Sequence, residues 1–301
     1  MRLKLGARGS PLSLAQAKFV TRALEGLAEV ELVIVKTTGD RLSAAGSPIE
    51  WKGDFTRELD EALLDGRIDF AVHSMKDVPT QVPEELALAA VPVREDPRDV
   101  LIARPRRSFK ELPSGARVGT ASPRRKAQLL AARPDLEVLE ARGNVDTRIA
   151  RLAEGRFDAV VLARAGLARL ARLEEASEVL PTSLILPAIG QGALAIYARR
   201  DDRATLELLQ ALDDAASRRE AEAERSLLST LEAGCKAPVA GLARVIDGSL
   251  TLSAGVFSPD GSSALREHSW GPAPEAVSIG RDAGCKLLER GAASLIDAAN
   301  R

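Results

Sequence analysis

Four kinds of stretch in this 301-residue chain hold residues whose types and spacing could do chemistry. The segment LEAGCKAPVAG (231–241) sets one of only two cysteines among small residues, with a lysine next to it. Cys235 there suits a nucleophile, a metal ligand, a tether or a simple small residue. The segment VHSMKDVPT (72–80) ends an apolar run and places Lys76 and Asp77 just past it. A carboxylate in that position can move a proton or steady a developing cation, and the adjacent ammonium keeps it ionised. An Asp before Val-Pro equally suits a turn. His73, on the same run with no ligand partner near it in sequence, reads as a core histidine.

Two Ser-Pro pairs form the third kind. Ser10-Pro11 and Ser122-Pro123 read as an N-cap followed by the first helical residue, the types preferred at those places. Each helix start offers unpaired N–H groups and a positive dipole end to an anion. Arg8 precedes the first; Arg124, Arg125 and Lys126 follow the second. The fourth kind is a set of arginines: Arg142 before a Gly-Asn turn, Arg148 one turn into the next helix, and Arg164 and Arg169 in LARAGLARL. Their planar donor forks match carboxylate or phosphate. We expect Arg124, Arg125 and several of these at loops along one sheet edge, with Arg151, Arg156 and Arg172 as surface residues.

The elements that position these residues follow from periodicity. Strand patterns occur at LKLGA, VELVIVK, IDFAVHS, LALAAVP, DVLIA, ARVGTA, LEVLEA and FDAVVLA, with helical spacing between them. Leu12, Ala15, Phe19, Ala23 and Leu27 mark the expected buried face of the first helix. The fold class is α/β with mostly parallel sheets. LGARGSPLSLAQ (5–16) resembles VGTASPRRKAQ (118–128), and DGRIDFAVHS (65–74) resembles EGRFDAVVLA (154–163). Two lobes of related plan are therefore expected. Crossings between them are placed at VREDPRDV (93–100) and LPAIGQGA (186–193). The expected domains are 1–95 with 189–212, then 96–188, then 213–301. The last is α+β, with strands at VAGLARVI and LTLSAGVFS, a turn at Pro259-Asp260-Gly261 and a helix over about 275–299 that packs Cys285.

Bulk properties exclude several classes. The net charge of −1 conceals a cationic middle: residues 98–172 carry 17 basic and 8 acidic side chains. That segment holds only Phe109 and Phe157 as aromatics, so base-stacking platforms are missing, and no phosphate-loop glycine motif is present. Two cysteines and two histidines leave neither a disulfide framework nor zinc spacing. With no export signal or membrane-length apolar run, the expected location is the cytoplasm, and the expected partner a small molecule with several carboxylates rather than nucleic acid or membrane. A non-catalytic two-lobed anion-binding protein also explains the duplication and the arginines. It leaves the Gly-flanked cysteine and the Lys-Asp pair without a purpose.

The motifs ARGSPLSLAQ, VHSMKDVP, REDPRDV, VGTASPRR, RGNVDTR, LPAIGQGA and LEAGCKAP, in this order, resemble the porphobilinogen deaminase (hydroxymethylbilane synthase) family over essentially the whole chain. The resemblance implies two lobes of the type-II periplasmic-binding plan flanking a cleft, a small C-terminal domain, and a monomer. It implies a transferase of tetrapyrrole (heme) synthesis that joins four porphobilinogen units into hydroxymethylbilane, releasing ammonia each time. It implies a dipyrromethane cofactor, one per chain, in thioether linkage to Cys235. It assigns Asp77 as the catalytic carboxylate, and Lys76, Asp77, Thr120, Ser122, Arg124, Arg125 and Arg148 to the cofactor. It assigns Arg8, Ser10, Gln16, Arg142, Arg148 and Arg169 to the substrate. Departures are Ala233 and Lys236 around the cysteine, Pro123 in place of a common Leu, no acidic residue near Tyr197, and a loosely matching loop at 46–55.

Overall fold

In a computed structural model describing residues 1–40, 55–233 and 237–300, the repeated strand patterns become two five-stranded sheets of one plan. The first sheet holds β1 (Arg2–Ala7), β2 (Glu29–Ile34), β3 (Phe70–Ser74), β4 (Leu86–Ala90) and β10 (Leu194–Arg199), in the order β2-β1-β3-β10-β4. β1 runs parallel to β2 and β3, and β10 antiparallel to β3 and β4. The second sheet holds β5 (Asp99–Ala103), β6 (Arg117–Gly119), β7 (Glu137–Leu139), β8 (Ala159–Ala163) and β9 (Glu178–Val179), in the order β7-β6-β8-β5-β9. β6 runs parallel to β7 and β8, and β5 antiparallel to β8 and β9. The strands that look alike in sequence, β1 with β6 and β3 with β8, hold equivalent places.

The chain divides into two compact units, 1–95 with 193–218, and 96–192 with 219–301. In the first, α1 (Pro11–Ala23) covers one sheet face, burying Ala17, Val20 and Leu24 against Leu3, Leu5, Phe70, Val72 and Ile196. α2 (Arg57–Leu64) buries Leu59, Ala62 and Leu63. The expected α1 face is rotated. Phe19 and Leu27 are about half exposed, at 48% and 52%, and the buried side is Ser13, Gln16, Ala17, Val20. Capping by Ser10 fixes the helix phase so that polar residues near its start turn inward, which an apolar count cannot register.

The second unit contains α3 (Pro123–Ala132), α4 (Val145–Ala153) and α5 (Arg164–Arg169) around its five-stranded sheet. It also contains a three-stranded antiparallel sheet of β11 (Val239–Ile246), β12 (Ser249–Phe257) and β13 (Ala264–Pro272). Leu250, Leu252, Ala254 and Val256 pack there against Leu227 and Leu231, next to helix α7 (Ala215–Thr230). The same core takes in Ile279, Ala283 and Leu287 of α8 (Ala276–Glu289) and Ile296 of α9 (Ala292–Asn300). Between α1 and α7 in the chain, α6 (Arg203–Leu209) belongs to the first unit.

Two C-terminal expectations need correcting, and one strand lies outside the expected set. The single helix over 275–299 is two, broken where Gly291 takes φ +92°. Cys285 is exposed instead of packed, because Ala283, Gly284 and Leu287 form the inward face of α8. β13 was not foreseen, since ALREHSWGP places just one large aliphatic side chain, Leu265, against the core.

Two glycines set close approaches in this unit. A Cβ on Gly280 would lie 2.1 Å from the carbonyl oxygen of Ala223, so α8 crosses α7 at backbone distance. Gly261, at φ +76°, brings the β12–β13 turn onto α3, where a Cβ would lie 2.3 Å from the Ala127 oxygen. Ala127 and Leu186 complete that contact with Phe257 and Ala240.

Candidate functional site

The C-terminal ends of β1 and β3 and the start of α1 line an open pocket of about 40 Å³ in the first unit. Ligands of open α/β sheets bind at such strand ends. Its walls include Arg8, Ser10, Gln16, His73, Ser74 and Asp77. Ser10 caps α1, its hydroxyl accepting from the Ser13 N–H at 3.3 Å, and the Ser13 hydroxyl accepts from the Arg8 N–H at 3.0 Å. Gln16 is buried and its Nε2 donates to the Ser74 hydroxyl at 2.7 Å. Asp77 closes the one-turn 3₁₀ segment Met75–Asp77 that follows β3, and it is partly buried. Lys76 sits beside it, half-buried.

Arg8 is held on two sides. Its guanidinium pairs with Asp40 and lies 4.0 Å from the centroid of the Phe55 ring. Asp40 also accepts from the Thr37 hydroxyl at 2.8 Å. Burial alone would raise the Asp40 carboxyl, but Arg8 and Thr37 outweigh it and hold it below its ordinary value. His73 is buried, packs edge-on to Tyr197 at 6.2 Å, and its Nε2 has no hydrogen-bond partner among the described residues. Burial, reinforced by the Arg8 charge, pushes its pKa down to about 4, so the ring is neutral.

In the second unit the equivalent helix start is built the same way. Ser122 caps α3, accepting from the Arg125 N–H at 3.4 Å, and its own N–H donates to the Thr120 hydroxyl at 3.2 Å. The expected placement of Arg124 and Arg125 on edge loops is corrected: both lie in the first turn of α3, buried. Arg124 Nη1 donates to Asp99 Oδ2 at 2.9 Å and to the Leu186 carbonyl. Arg125 donates to Asp99 Oδ1 at 2.7 Å and to the Val161 carbonyl at 3.1 Å. Gln191 Nε2 adds a donor to Asp99 at 2.9 Å. Burial would raise the Asp99 carboxyl, yet the two guanidinium groups drive it far below the carboxylate range. Arg124 keeps a buried Nε without a partner among the described residues.

The remaining arginines stand nearer the surface. Arg142 bonds Glu140 at 2.6 Å, Arg148 donates to the Gly143 carbonyl at 2.9 Å, and Arg169 to the Gly192 carbonyl at 2.7 Å. Arg172, expected on the surface, is instead paired with Asp146 and Glu175. Thus Arg8, Ser10, Gln16 and Asp77 share one pocket, whereas Arg124 and Arg125 share one buried carboxylate. Cys235 and residues 46–54 lie outside the described residues. Residues that sequence reasoning missed are Asp40, Asp99 and Ser74. For Asp99 a signal existed: a lone acid heading the apolar run DVLIA has to find cationic partners.

Comparison with known proteins places these features. Residues 3–207 match the family described as porphobilinogen deaminase, dipyromethane cofactor binding domain, and residues 218–289 match its C-terminal domain. Porphobilinogen deaminase of Rubrobacter xylanophilus is 50% identical over 98% of this chain and 96% of its own. That of Desulforudis audaxviator is 49% identical over 97% and 96%, and that of Syntrophobacter fumaroxidans 46% over 98% and 97%. Among solved structures, a putative methionine-binding lipoprotein of Bacillus subtilis covers 71% of this chain and 90% of its own, with 16% identity and a TM-score of 0.44. With both family domains present in order and near-half identity along the whole length, this chain belongs to the porphobilinogen deaminase family.

Proposed function

We propose that Asp77 manages the positive charge that develops during this family's reaction, the head-to-tail condensation of porphobilinogen into hydroxymethylbilane with loss of ammonia. The observation that carries this reading is its place in one pocket with Arg8, Ser10 and Gln16. An anionic group aimed at the site where a cation forms lowers the barrier without reorganisation. Arg8, Ser10 and Gln16 would orient the substrate through its two carboxylates. Burial of Gln16 and its bond to Ser74 keep that donor in place before binding. Arg142, Arg148 and Arg169 of the second unit are the proposed contacts for the carboxylates of the lengthening product.

The family's dipyrromethane is a polyanion, and the donor sets fit it. The start of α3 presents the positive end of the helix dipole beside the hydroxyls of Thr120 and Ser122, and the neighbouring Arg124 retains an unmatched buried N–H among the described residues. Lys76, Asp77, Thr120, Ser122, Arg124, Arg125 and Arg148 would hold it, with Cys235 as its point of attachment. When bound it supplies the pyrrole carbon from which the product grows. Arg124 and Arg125 share one carboxylate between two cations, so the cluster keeps net positive charge for a bound acid group. We further infer three domains, with the division of 96–188 from 213–301 supported by the separate cores of the two sheets. No helix among the described residues is long and apolar enough to cross a membrane. A monomer in the cytoplasm, without nucleic acid, is the accompanying reading, and the exposed thiol of Cys285 suits a reducing compartment.

The test is Asp77→Ala. The variant should retain the cofactor, seen in its intact mass, while kcat falls at least about a hundredfold. Turnover near that of the parent would remove Asp77 from this role.

A further inference from the structure

His73 is the polar group in the first-unit pocket that the assigned roles leave unused. It lies on β3, between Val72, which faces the α1 core, and Ser74, the acceptor for Gln16. The residue is 6% exposed, and it touches the pocket that Arg8, Gln16 and Asp77 also line. Antiparallel pairing sets His73 opposite Ala195, and Tyr197 meets its ring edge-on at 72°. The ring plane is thus fixed by packing.

A buried nitrogen without a partner costs free energy unless something supplies the bond. Nothing among the described residues does so for Nε2. Burial and the nearby Arg8, itself paired with Asp40, keep the ring uncharged, so the ring meets a pocket ligand as a neutral group. A neutral imidazole carrying its proton on Nε2 can donate to a carboxylate already drawn to a guanidinium.

We propose that His73 Nε2 donates a hydrogen bond to a carboxylate of porphobilinogen held beside Arg8, making His73 a substrate-binding residue that selects pyrroles carrying that acid group. The inference rests on the reading that Arg8, Ser10 and Gln16 receive the substrate. It adds a neutral donor, which fixes the direction of a carboxylate that Arg8 alone would hold mainly by charge.

The chain has only two histidines, so His268, exposed on β13, serves as an internal reference. The experiment is a ring-nitrogen NMR titration of the holoenzyme with a porphobilinogen analogue whose aminomethyl group is replaced by methyl, which has no ammonia to lose. The Nε2 signal of His73 should move to saturation while that of His268 stays. In kinetics, His73→Leu should raise KM about tenfold with little change in kcat, and His73→Gln, which restores an N–H donor, should recover part of the loss. If Gln16→Ala raises KM while the His73 signal is unmoved at saturation, the pocket reading stands and the role of His73 is overturned. If neither Gln16→Ala nor His73→Leu alters KM, the pocket reading falls, and the proposal with it.

Discussion

Asp99 and Arg125 meet through two bonds to a single carboxylate oxygen, from Nε at 3.2 Å and Nη2 at 2.7 Å, in a site where Asp99 is wholly buried. Arg124 takes the other oxygen. One carboxylate therefore orients two guanidinium groups at the head of α3. Asp99→Asn would leave two buried cations without their anion. We expect a loss of roughly 3–5 kcal/mol, read from urea midpoints at unchanged m. A loss below about 1 kcal/mol would show that the cluster contributes little to the fold. Because the Asp99 carboxyl is depressed in the folded chain, its share of stability is present above the ordinary pKa near 3.8 and fades as pH falls below it.

Attachment at Cys235 predicts that the purified chain weighs more than its translated 32.0 kDa by two pyrrole units. Cys235→Ser should abolish the excess, and Cys285→Ser should leave it. An unmodified parent chain with full activity would sink the tether.

His73 predicts a pH window. The fold holds its pKa at about 4, below the 6.5 of the exposed ring, so the unfolded chain binds the proton more readily. Stability is then full above 6.5, declines as pH falls from 6.5 to 4, and levels out below, a change of about 3 kcal/mol. Asp60 opposes this. Burial raises it to about 6, so its contribution is full below 3.8 and is lost as pH rises through 6. His73→Phe should flatten the decline in denaturation midpoints between pH 6.5 and 4. An unaltered slope would show that His73 protonates freely in the fold.

Gly261 predicts a backbone effect. Ala there would be forced into positive φ with its Cβ against the Ala127 and Leu130–Ala131 backbone, none of which can rotate away. Gly261→Ala should cost at least about 1–3 kcal/mol by thermal melting, and Gly248→Ala, with equal φ but open space, should cost less. Equal losses would mean that the close approach is unimportant.

The sequence carried the strand order poorly but the repeated punctuation well. Ser10-Pro11 and Ser122-Pro123 cap their helices as read, because capping is local chemistry. The phase of α1 was misread because Ser13 and Gln16 face inward for the sake of the pocket, against their polarity. Asp40 and Asp99 escaped notice for the opposite reason. Their partners lie 32, 25 and 26 positions away, and long-range ion pairs leave no periodic trace. β13 was invisible because the free edge of its sheet is covered with polar side chains.

Gln16 and Gln128 each stand six residues after their capping serine, yet their amides have different work: one bonds Ser74 beside the pocket, the other grips both the N–H and the carbonyl of Leu186. A repeated scaffold has thus allowed a division of labour. One copy spends its inherited amide on the ligand's surroundings, and the other spends it on anchoring a distant stretch of its own backbone. Exchanging the two copies' helix starts should therefore yield a protein that neither recognises nor folds as this one does.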